Sequence, residues 1–125
     1  MSRNILDESS IDPAIRGEIS ASHADIVAQV KAAIATHAVV VVGMAQNPFP
    51  RKARATLDRA GIPHLYLEYG SYLSQWRERT ALKMWSGWPT FPMVFVKGVL
   101  VGGAAEVARL VAAGELARRL AGSTP

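Results

Sequence analysis

The residues of this chain that could do chemistry are few, because none of its 125 residues is a cysteine. Disulfide formation, thiolate catalysis and thiolate-ligated metal or iron–sulfur sites are therefore excluded within the chain. The histidines, His23, His37 and His64, are scattered along the sequence and suggest no metal site. Thiol chemistry is thus excluded, whereas the binding of a ligand or partner remains open.

The tetrapeptide Asn47-Pro48-Phe49-Pro50 is the first candidate for such binding, because it follows a run of four valines. In α/β sheets the loop after the first strand is a common ligand position. Asn is also among the best helix N-cap residues, because its carbonyl oxygen accepts hydrogen bonds from first-turn N–H groups. Pro50 removes a donor and biases Phe49 away from helical dihedral angles. The tetrapeptide is thus either a binding site or only a helix cap, and the sequence favours neither.

A second candidate is the stretch Trp88 to Gly103, which reads WPTFPMVFVKGVLVGG. Two apolar runs flank Lys97-Gly98, which predicts a tight β-hairpin with Gly98 at positive φ. Pro92 precedes the first strand, where its missing N–H costs little. Gly102-Gly103 lets the backbone approach a ligand or another element closely, and a helix follows.

Hydrophobic periodicity and capping signals predict the elements that would position these residues in a single domain. The predicted strands are 39–42, 64–69, 93–96 and 99–101. The predicted helices are 13–18, 22–37, 51–60, one from Ser71 or Ser74 to about 85, 106–113 and 115–120, with Ser22 and Asp25 at the start of the second. This order predicts one mixed sheet with helices on both faces.

The charge is modest, with a formal value of +4 and a pI of about 9.9. It does not favour nucleic acid as a partner. Arg51, Lys52 and Arg54 form either a solvated helix face or a cluster that attracts an anion to the helix start. No apolar run is long enough for a membrane span, and the polar N-terminus does not resemble a signal peptide. We therefore expect a cytoplasmic protein without a membrane partner.

WPTFP, the apolar strand, the Lys-Gly turn, the short strand and Gly-Gly resemble the glutaredoxins, and most closely their monothiol, iron–sulfur-associated branch. The resemblance covers about residues 38 to 120. It implies a thioredoxin-like α/β fold with a four-stranded mixed sheet, over residues 38–121. Residues 1–37 would then be an N-terminal helical extension and residues 122–125 a frayed tail.

The departure from this family is informative. The resemblance aligns the family's C-P-Y-C motif with residues 47–50, so Asn47 replaces the nucleophilic cysteine and Pro50 the resolving one. Pro48 and Phe49 keep the family's proline and aromatic residue. Because Asn is neither nucleophilic nor titratable, the substitution keeps the helix start and removes the redox chemistry.

The resemblance also implies a degenerate glutathione groove, formed by Asn47, Phe49, Arg79, Phe91, Pro92, Gly102 and Gly103. Main-chain groups of Phe91, beside a cis-proline at Pro92, would grip the ligand. Met44 replaces a carboxylate-binding lysine, and Ala105 replaces an aspartate that binds the ligand's α-amino group, leaving only Glu106 to compensate. Arg79 either binds a carboxylate or belongs to a solvated helix face. We expect weak glutathione binding at most, and no other cofactor.

Aromatic residues offer one further surface. Tyr66, Tyr69, Tyr72 and Trp76 could form a partner-binding patch, but core packing is the ordinary interpretation. Trp76, Trp85 and Trp88 could alternatively form a stacking platform, but core and helix packing is again the ordinary interpretation.

Three function hypotheses remain. The first is a non-catalytic binding or adaptor module, with a protein partner at the groove of Asn47, Phe49 and Phe91. The second is a glutaredoxin-type thiol-disulfide oxidoreductase or iron–sulfur-associated glutaredoxin, which the missing thiols contradict. The third is nucleic-acid binding through the basic helix, which steep salt dependence would reveal. The sequence favours the first.

Overall fold

The valine run forms an inner strand of a four-stranded mixed sheet with the order β2-β1-β3-β4. The computed structural model describes residues 3–21 and 23–122. Strand β1 pairs in parallel with β2 and antiparallel with β3, which pairs antiparallel with β4. The strands are β1 (Val39–Gly43), β2 (Leu65–Glu68), β3 (Met93–Val96) and β4 (Val99–Gly102). The predicted mixed sheet is therefore confirmed.

Six α-helices and one short 3-10 helix (Glu8–Ser10) accompany the sheet in the described part of the chain. The α-helices are α1 (Pro13–Ala21), α2 (Ala24–Thr36), α3 (Pro48–Arg59), α4 (Trp76–Ser86), α5 (Ala104–Ala112) and α6 (Glu115–Leu120). None of them has the length and apolar character needed to cross a bilayer.

The alternation of β1 divides the core into two layers, because successive side chains of a strand point to opposite faces. Val40 and Val42 pack with α2 and α4 on one face. Val39 and Val41 pack with α3, α5 and α6 on the other face. Helices on both faces are therefore confirmed, and α2, which belongs to the predicted extension, contributes to the core through Ile26, Val30 and Ala33.

Helix α3 begins three residues earlier than predicted, at Pro48, and the expectation that Phe49 avoids helical dihedral angles is wrong. The first turn of a helix makes no use of its own N–H groups, so prolines fit there. Pro50 also packs against β1: a Cβ added to Gly43 would lie 2.7 Å from the Pro50 Cβ. This close approach explains why a glycine ends the valine strand.

The predicted start of α4 at Ser71 or Ser74 is wrong. The helix begins at Trp76, after Gln75 in the left-handed region at φ 54°. The two serines instead stabilise the preceding loop, where the Ser71 N–H donates to the Ser74 hydroxyl over 3.0 Å. The side chains that looked like caps therefore build a loop.

The N-terminal helices also differ from prediction. Helix α1 continues past residue 18 to Ala21. Ser22, predicted as the cap of α2, lies outside the described residues, as do residues 123–125 of the predicted frayed tail. His23, at φ 50°, occupies the N-cap position of α2 without a side-chain hydrogen bond.

Burial of the aromatic residues is mixed. Tyr69 is buried in the core, and the Trp85 and Phe95 rings lie 6.0 Å apart in a tilted pair. Trp76 and Tyr72, however, are 58% and 61% exposed, so core packing is the wrong interpretation for these two. The cause is the later start of α4, which places Trp76 at the first position of an outer helix.

Other element boundaries differ by one or two residues. His64 and Tyr69 lie outside β2, while α5 begins at Ala104 rather than at residue 106. The predicted hairpin turn is confirmed, with positive φ at both Lys97 and Gly98.

The fold places the start of α3, the residues before β3 and the start of α5 at one end of the sheet.

Candidate functional site

Asn47 caps helix α3, as predicted. Its backbone is extended, and its Oδ1 accepts a hydrogen bond from the Phe49 N–H over 3.0 Å. The first and third positions of the helix, Pro48 and Pro50, have no N–H at all. The first three helical positions therefore have no free donor left, although this is the place where a helix N-terminus usually stabilises an anion.

Replacing Asn47 with alanine should lower the free energy of unfolding by about 1 kcal/mol, since the Phe49 N–H then loses its acceptor. Asn47→Ser keeps a capping oxygen and should cost much less. Urea denaturation of both variants gives the comparison. Equal losses in the two variants would mean that the cap is not the source of the effect.

Asn47 also connects α3 to the segment before β3. Its Nδ2 lies 3.5 Å from the Phe91 carbonyl oxygen, at the long limit of a hydrogen bond. Phe91 is only 5% exposed, and the Phe91–Pro92 peptide bond is cis. Within the described residues no acceptor is found for the Phe91 N–H. This main-chain donor remains available to a ligand.

The start of α5 forms the opposite wall. Gly103 is the N-cap residue and brings no side chain, so the first N–H groups of α5 have no side-chain acceptor from that position. Glu106 Oε1 accepts from the Gly103 N–H over 2.8 Å, while its Oε2 accepts from Arg109 Nη2 over 3.1 Å. Gly102, at φ 121°, would have a Cβ 2.6 Å from the Glu106 side chain. Glu106 is thus already engaged by Gly103 and Arg109.

The hydrogen bond that the Gly103 N–H donates lowers the pKa of Glu106 from its ordinary value of 4.5 and outweighs the opposing effect of burial. A lowered folded-state pKa means that the ionised carboxylate stabilises the fold above the ordinary value. This stabilisation disappears as the pH falls through the lowered pKa. Glu106→Gln should therefore flatten the acid limb of a stability–pH curve measured by urea denaturation. A curve that keeps its acid limb in Glu106→Gln would contradict this assignment.

A cleft of about 680 Å³ lies between these two walls. Its surface is mainly apolar, with two cations on α3, Lys52 and Arg59; Lys52 Nζ lies 5.1 Å from the Phe49 ring centroid. The lining residues are Phe49, Lys52, Ala55, Thr56, Arg59, Trp88, Thr90, Phe91, Pro92, Gly103, Ala104, Ala105, Glu106 and Ala108.

Four of the sequence-predicted site residues line this cleft: Phe49, Phe91, Pro92 and Gly103. Asn47 contacts Phe91 from beside it, and Gly102 precedes Gly103. Trp88 also lines the cleft, but it is not among the site residues predicted from the sequence, although Trp88 lies within the WPTFP motif. The buried Trp88 Nε1 has no hydrogen-bond partner within the described part of the chain.

Arg79 does not belong to this cleft, and both sequence interpretations of it are wrong. Its side chain is only 7% exposed, and Nη1 donates to the carbonyl oxygens of Tyr69 and Ser74. The physical reason is the loop before α4, whose inward-facing carbonyls need donors. Arg79 is thus a structural residue that holds this loop.

Met44 and Ala105, which the resemblance aligns with charged anchors, carry no charge. Met44 is 6% exposed and packs in the core on the α2 and α4 side of the sheet. Ala105 lies exposed in the first turn of α5. No group of three His, Cys, Asp or Glu side chains that could hold a metal ion is found among the described residues.

Comparison with known proteins shows where this arrangement belongs. The glutaredoxin family model matches residues 39–101. A glutaredoxin-like protein of Dictyostelium discoideum is 48% identical over 81 residues, which are 65% of this chain and 66% of that protein. A probable monothiol glutaredoxin of Legionella pneumophila is 34% identical over 73 residues, 58% of this chain and 79% of that protein.

The relatives differ in how much of their length is matched. Glutaredoxin 3 of Danio rerio is 40% identical over 54% of this chain, but the match spans only 22% of that protein.

Among solved structures, reduced glutaredoxin C1 from Populus tremula x tremuloides has a TM-score of 0.72 at 23% identity, covering 84% of this chain and 90% of that one. This likeness shows the fold. Together with the family-model match, these relatives show that the chain belongs to the glutaredoxin family, although it carries no cysteine.

Proposed function

We propose that this chain is a non-catalytic binding or adaptor module of the glutaredoxin family. The observation that carries the proposal is the start of α3. There Asn47 stands where the resemblance places the nucleophile, and it accepts a hydrogen bond from the only N–H of the first three helical positions. A site that reacted with thiols would need a sulfur atom and free donors at this point. Both are missing.

The binding part of the proposal rests on the cleft, which remains open. Phe49 is 51% exposed at its rim, and the Phe91 N–H is free for main-chain pairing with an extended segment. Lys52 and Arg59 favour a partner with acidic groups. We therefore propose that an extended protein segment with apolar and acidic side chains binds beside Asn47, Phe49 and Phe91.

Glutathione is expected to bind weakly at most, because two charged anchors are absent at Met44 and Ala105. Each lost charge-assisted hydrogen bond costs about 1.5–3 kcal/mol, so affinity should fall roughly a hundredfold to ten-thousandfold. Nucleic acid would be favoured as the partner only if binding to it weakened steeply with rising salt concentration. The cytoplasmic location expected from the sequence stays a prediction.

Two measurements on the native chain test the proposal. A glutathione-coupled disulfide-exchange assay should show no turnover above background, and a glutathione titration followed by NMR should not saturate below millimolar concentrations. Affinity capture should recover a protein that the cleft variant Phe49→Asp fails to retain. Turnover by the native chain would contradict the non-catalytic assignment, and equal capture by both chains would contradict the binding site.

A further inference from the structure

Outside the cleft, most of the large apolar side chains that the described residues expose fall into two groups. The first lies in residues 5–15, here called the acidic arm. Ile5, Leu6 and Ile15 are 66%, 65% and 45% exposed there. The charged residues within the arm are Asp7, Glu8 and Asp12, all exposed and all acidic, while Arg16, directly after the arm, donates from Nε to the Ile11 carbonyl oxygen over 2.9 Å. The arm thus presents uncovered apolar side chains with negative charge.

The second group borders a groove of about 690 Å³ between α2 and α4, here called the basic groove. Trp76 and Met84, which are 58% and 70% exposed, form its outer wall. Its charged lining residues are Lys31 and Arg77, and no carboxylate lines it. The lining residues are His23, Ala24, Val27, Ala28, Lys31, Trp76, Arg77, Thr80, Ala81, Met84 and Trp85.

Two contacts shape the charges at this groove. The Arg77 guanidinium lies 5.3 Å from the Trp76 ring centroid, which keeps the cation beside the apolar wall. Glu78, the acidic residue of α4, lies outside the lining of the groove, with its Oε1 3.9 Å from His23 Nδ1. The groove therefore presents apolar surface with positive charge.

The apolar surface continues beyond the groove onto the loop before α4. Tyr72 is 61% exposed and Leu73 is 94% exposed. This loop is fixed by the buried Arg79 side chain and by the hydrogen bond between Ser71 and Ser74. Two exposed apolar side chains on this loop thus immediately precede the exposed Trp76 at the start of α4, and clustered exposed apolar side chains are typical of an interaction surface.

The arm does not cover the groove of its own chain. None of residues 5–15 lines it. Arg3 lies at the end of α4, where a Cβ added to Gly87 would lie within 2.4 Å of Arg3 Nη1. The arm and the groove are thus two uncovered surfaces of opposite charge on one molecule.

We infer that a second copy of this chain covers the basic groove, with the acidic arm of each copy docked into the groove of the other. The complementary chemistry is present on the same chain, so no foreign partner is needed. A reciprocal exchange uses the same two patches on both copies and closes as a twofold dimer. This inference concerns a different surface from the proposed binding cleft and does not depend on it.

The experiment is sedimentation equilibrium of the full chain over a range from micromolar to millimolar concentration. The native chain should show a monomer–dimer equilibrium. Leu73→Ser combined with Trp76→Ser should raise the dissociation constant at least about tenfold, because both side chains lose apolar burial. Both residues are exposed, so circular dichroism and thermal unfolding should remain native-like.

Charge reversal gives the sharper test. A groove variant, Lys31→Glu with Arg77→Glu, and an arm variant, Asp7→Lys with Glu8→Lys, should each dimerise at least about tenfold more weakly than the native chain. A mixture of the two variants should form a heterodimer, because each arm then meets a groove of opposite charge. All four substitutions in one chain should restore the homodimer.

The matched control is Arg51→Glu with Lys97→Glu, which changes the net charge as the groove variant does but lies elsewhere. It should leave the dissociation constant within about twofold of the native value. A native chain that stays monomeric throughout the range would overturn the inference. So would a dimer that is indifferent to the groove and arm variants, or a mixture that forms no heterodimer.

Discussion

Replacing Asn47 with cysteine should give this chain a thiol that exchanges with disulfides, whereas the native chain, which has no cysteine, should show no exchange. The introduced thiol lies at the start of α3, where the Phe49 N–H loses its present acceptor and becomes free to stabilise a thiolate. Pro48 and Pro50 add no further donors. We therefore expect a thiol pKa below the ordinary value of about 8.5, but a smaller decrease than a full set of donors would give.

Helix α3 offers a matched control for this variant. Ala60→Cys places a thiol at the exposed C-terminal end of the same helix, where the helix dipole disfavours a thiolate. The pH dependence of alkylation gives both thiol pKa values, and exchange with a glutathione mixed disulfide gives both rates. Asn47→Cys should have the lower pKa and, near neutral pH, the faster exchange.

Adding Pro50→Ala to Asn47→Cys tests the role of the second proline. Alanine restores an N–H at the third helical position, so the thiol pKa should fall further and exchange near neutral pH should rise several-fold. Equal pKa values for Asn47→Cys and Ala60→Cys would show that the helix start no longer favours an anion. If the helix start still favours an anion, the thiol of Asn47→Cys should instead have the lower pKa of the two.

The sheet and its hairpin could be predicted from the sequence because their signals are local and strong. Four consecutive valines are buried in β1, which pairs on both sides, and the Lys97-Gly98 turn has the positive φ angles that its sequence requires. The cap at Asn47 was also predictable, because a side chain two residues from its donor needs no tertiary information.

The positions that sequence reasoning missed depend on tertiary structure instead. Gln75 adopts a left-handed conformation that favours glycine, so nothing in its type marks the start of α4. The shift from residue 71 or 74 to residue 76 leaves Trp76 exposed. Arg79 was assigned to the glutathione groove by resemblance, but the loop that it supports is defined only in the folded chain.

Replacing Arg79 with methionine should lower the free energy of unfolding by about 3–6 kcal/mol. Arg79 is 7% exposed, and its guanidinium donates to the Tyr69 and Ser74 carbonyl oxygens. Methionine fills much of the same volume but leaves both carbonyls without this donor, and hydrogen bonds from a charged group are worth about 1.5–3 kcal/mol each. Arg79→Lys keeps one charged donor group and should recover part of the loss.

The neighbouring arginine on α4 separates this role from a general effect of charge or helix propensity. Arg77→Met removes the same charge from an exposed side chain, so the unfolding free energy should change by no more than about 0.5 kcal/mol. Urea denaturation of Arg79→Met, Arg79→Lys and Arg77→Met supplies the three values. If Arg79→Met costs no more than Arg77→Met, the loop does not depend on the buried guanidinium. A large and selective loss would instead show that a residue placed in the groove by resemblance supports the fold of the chain.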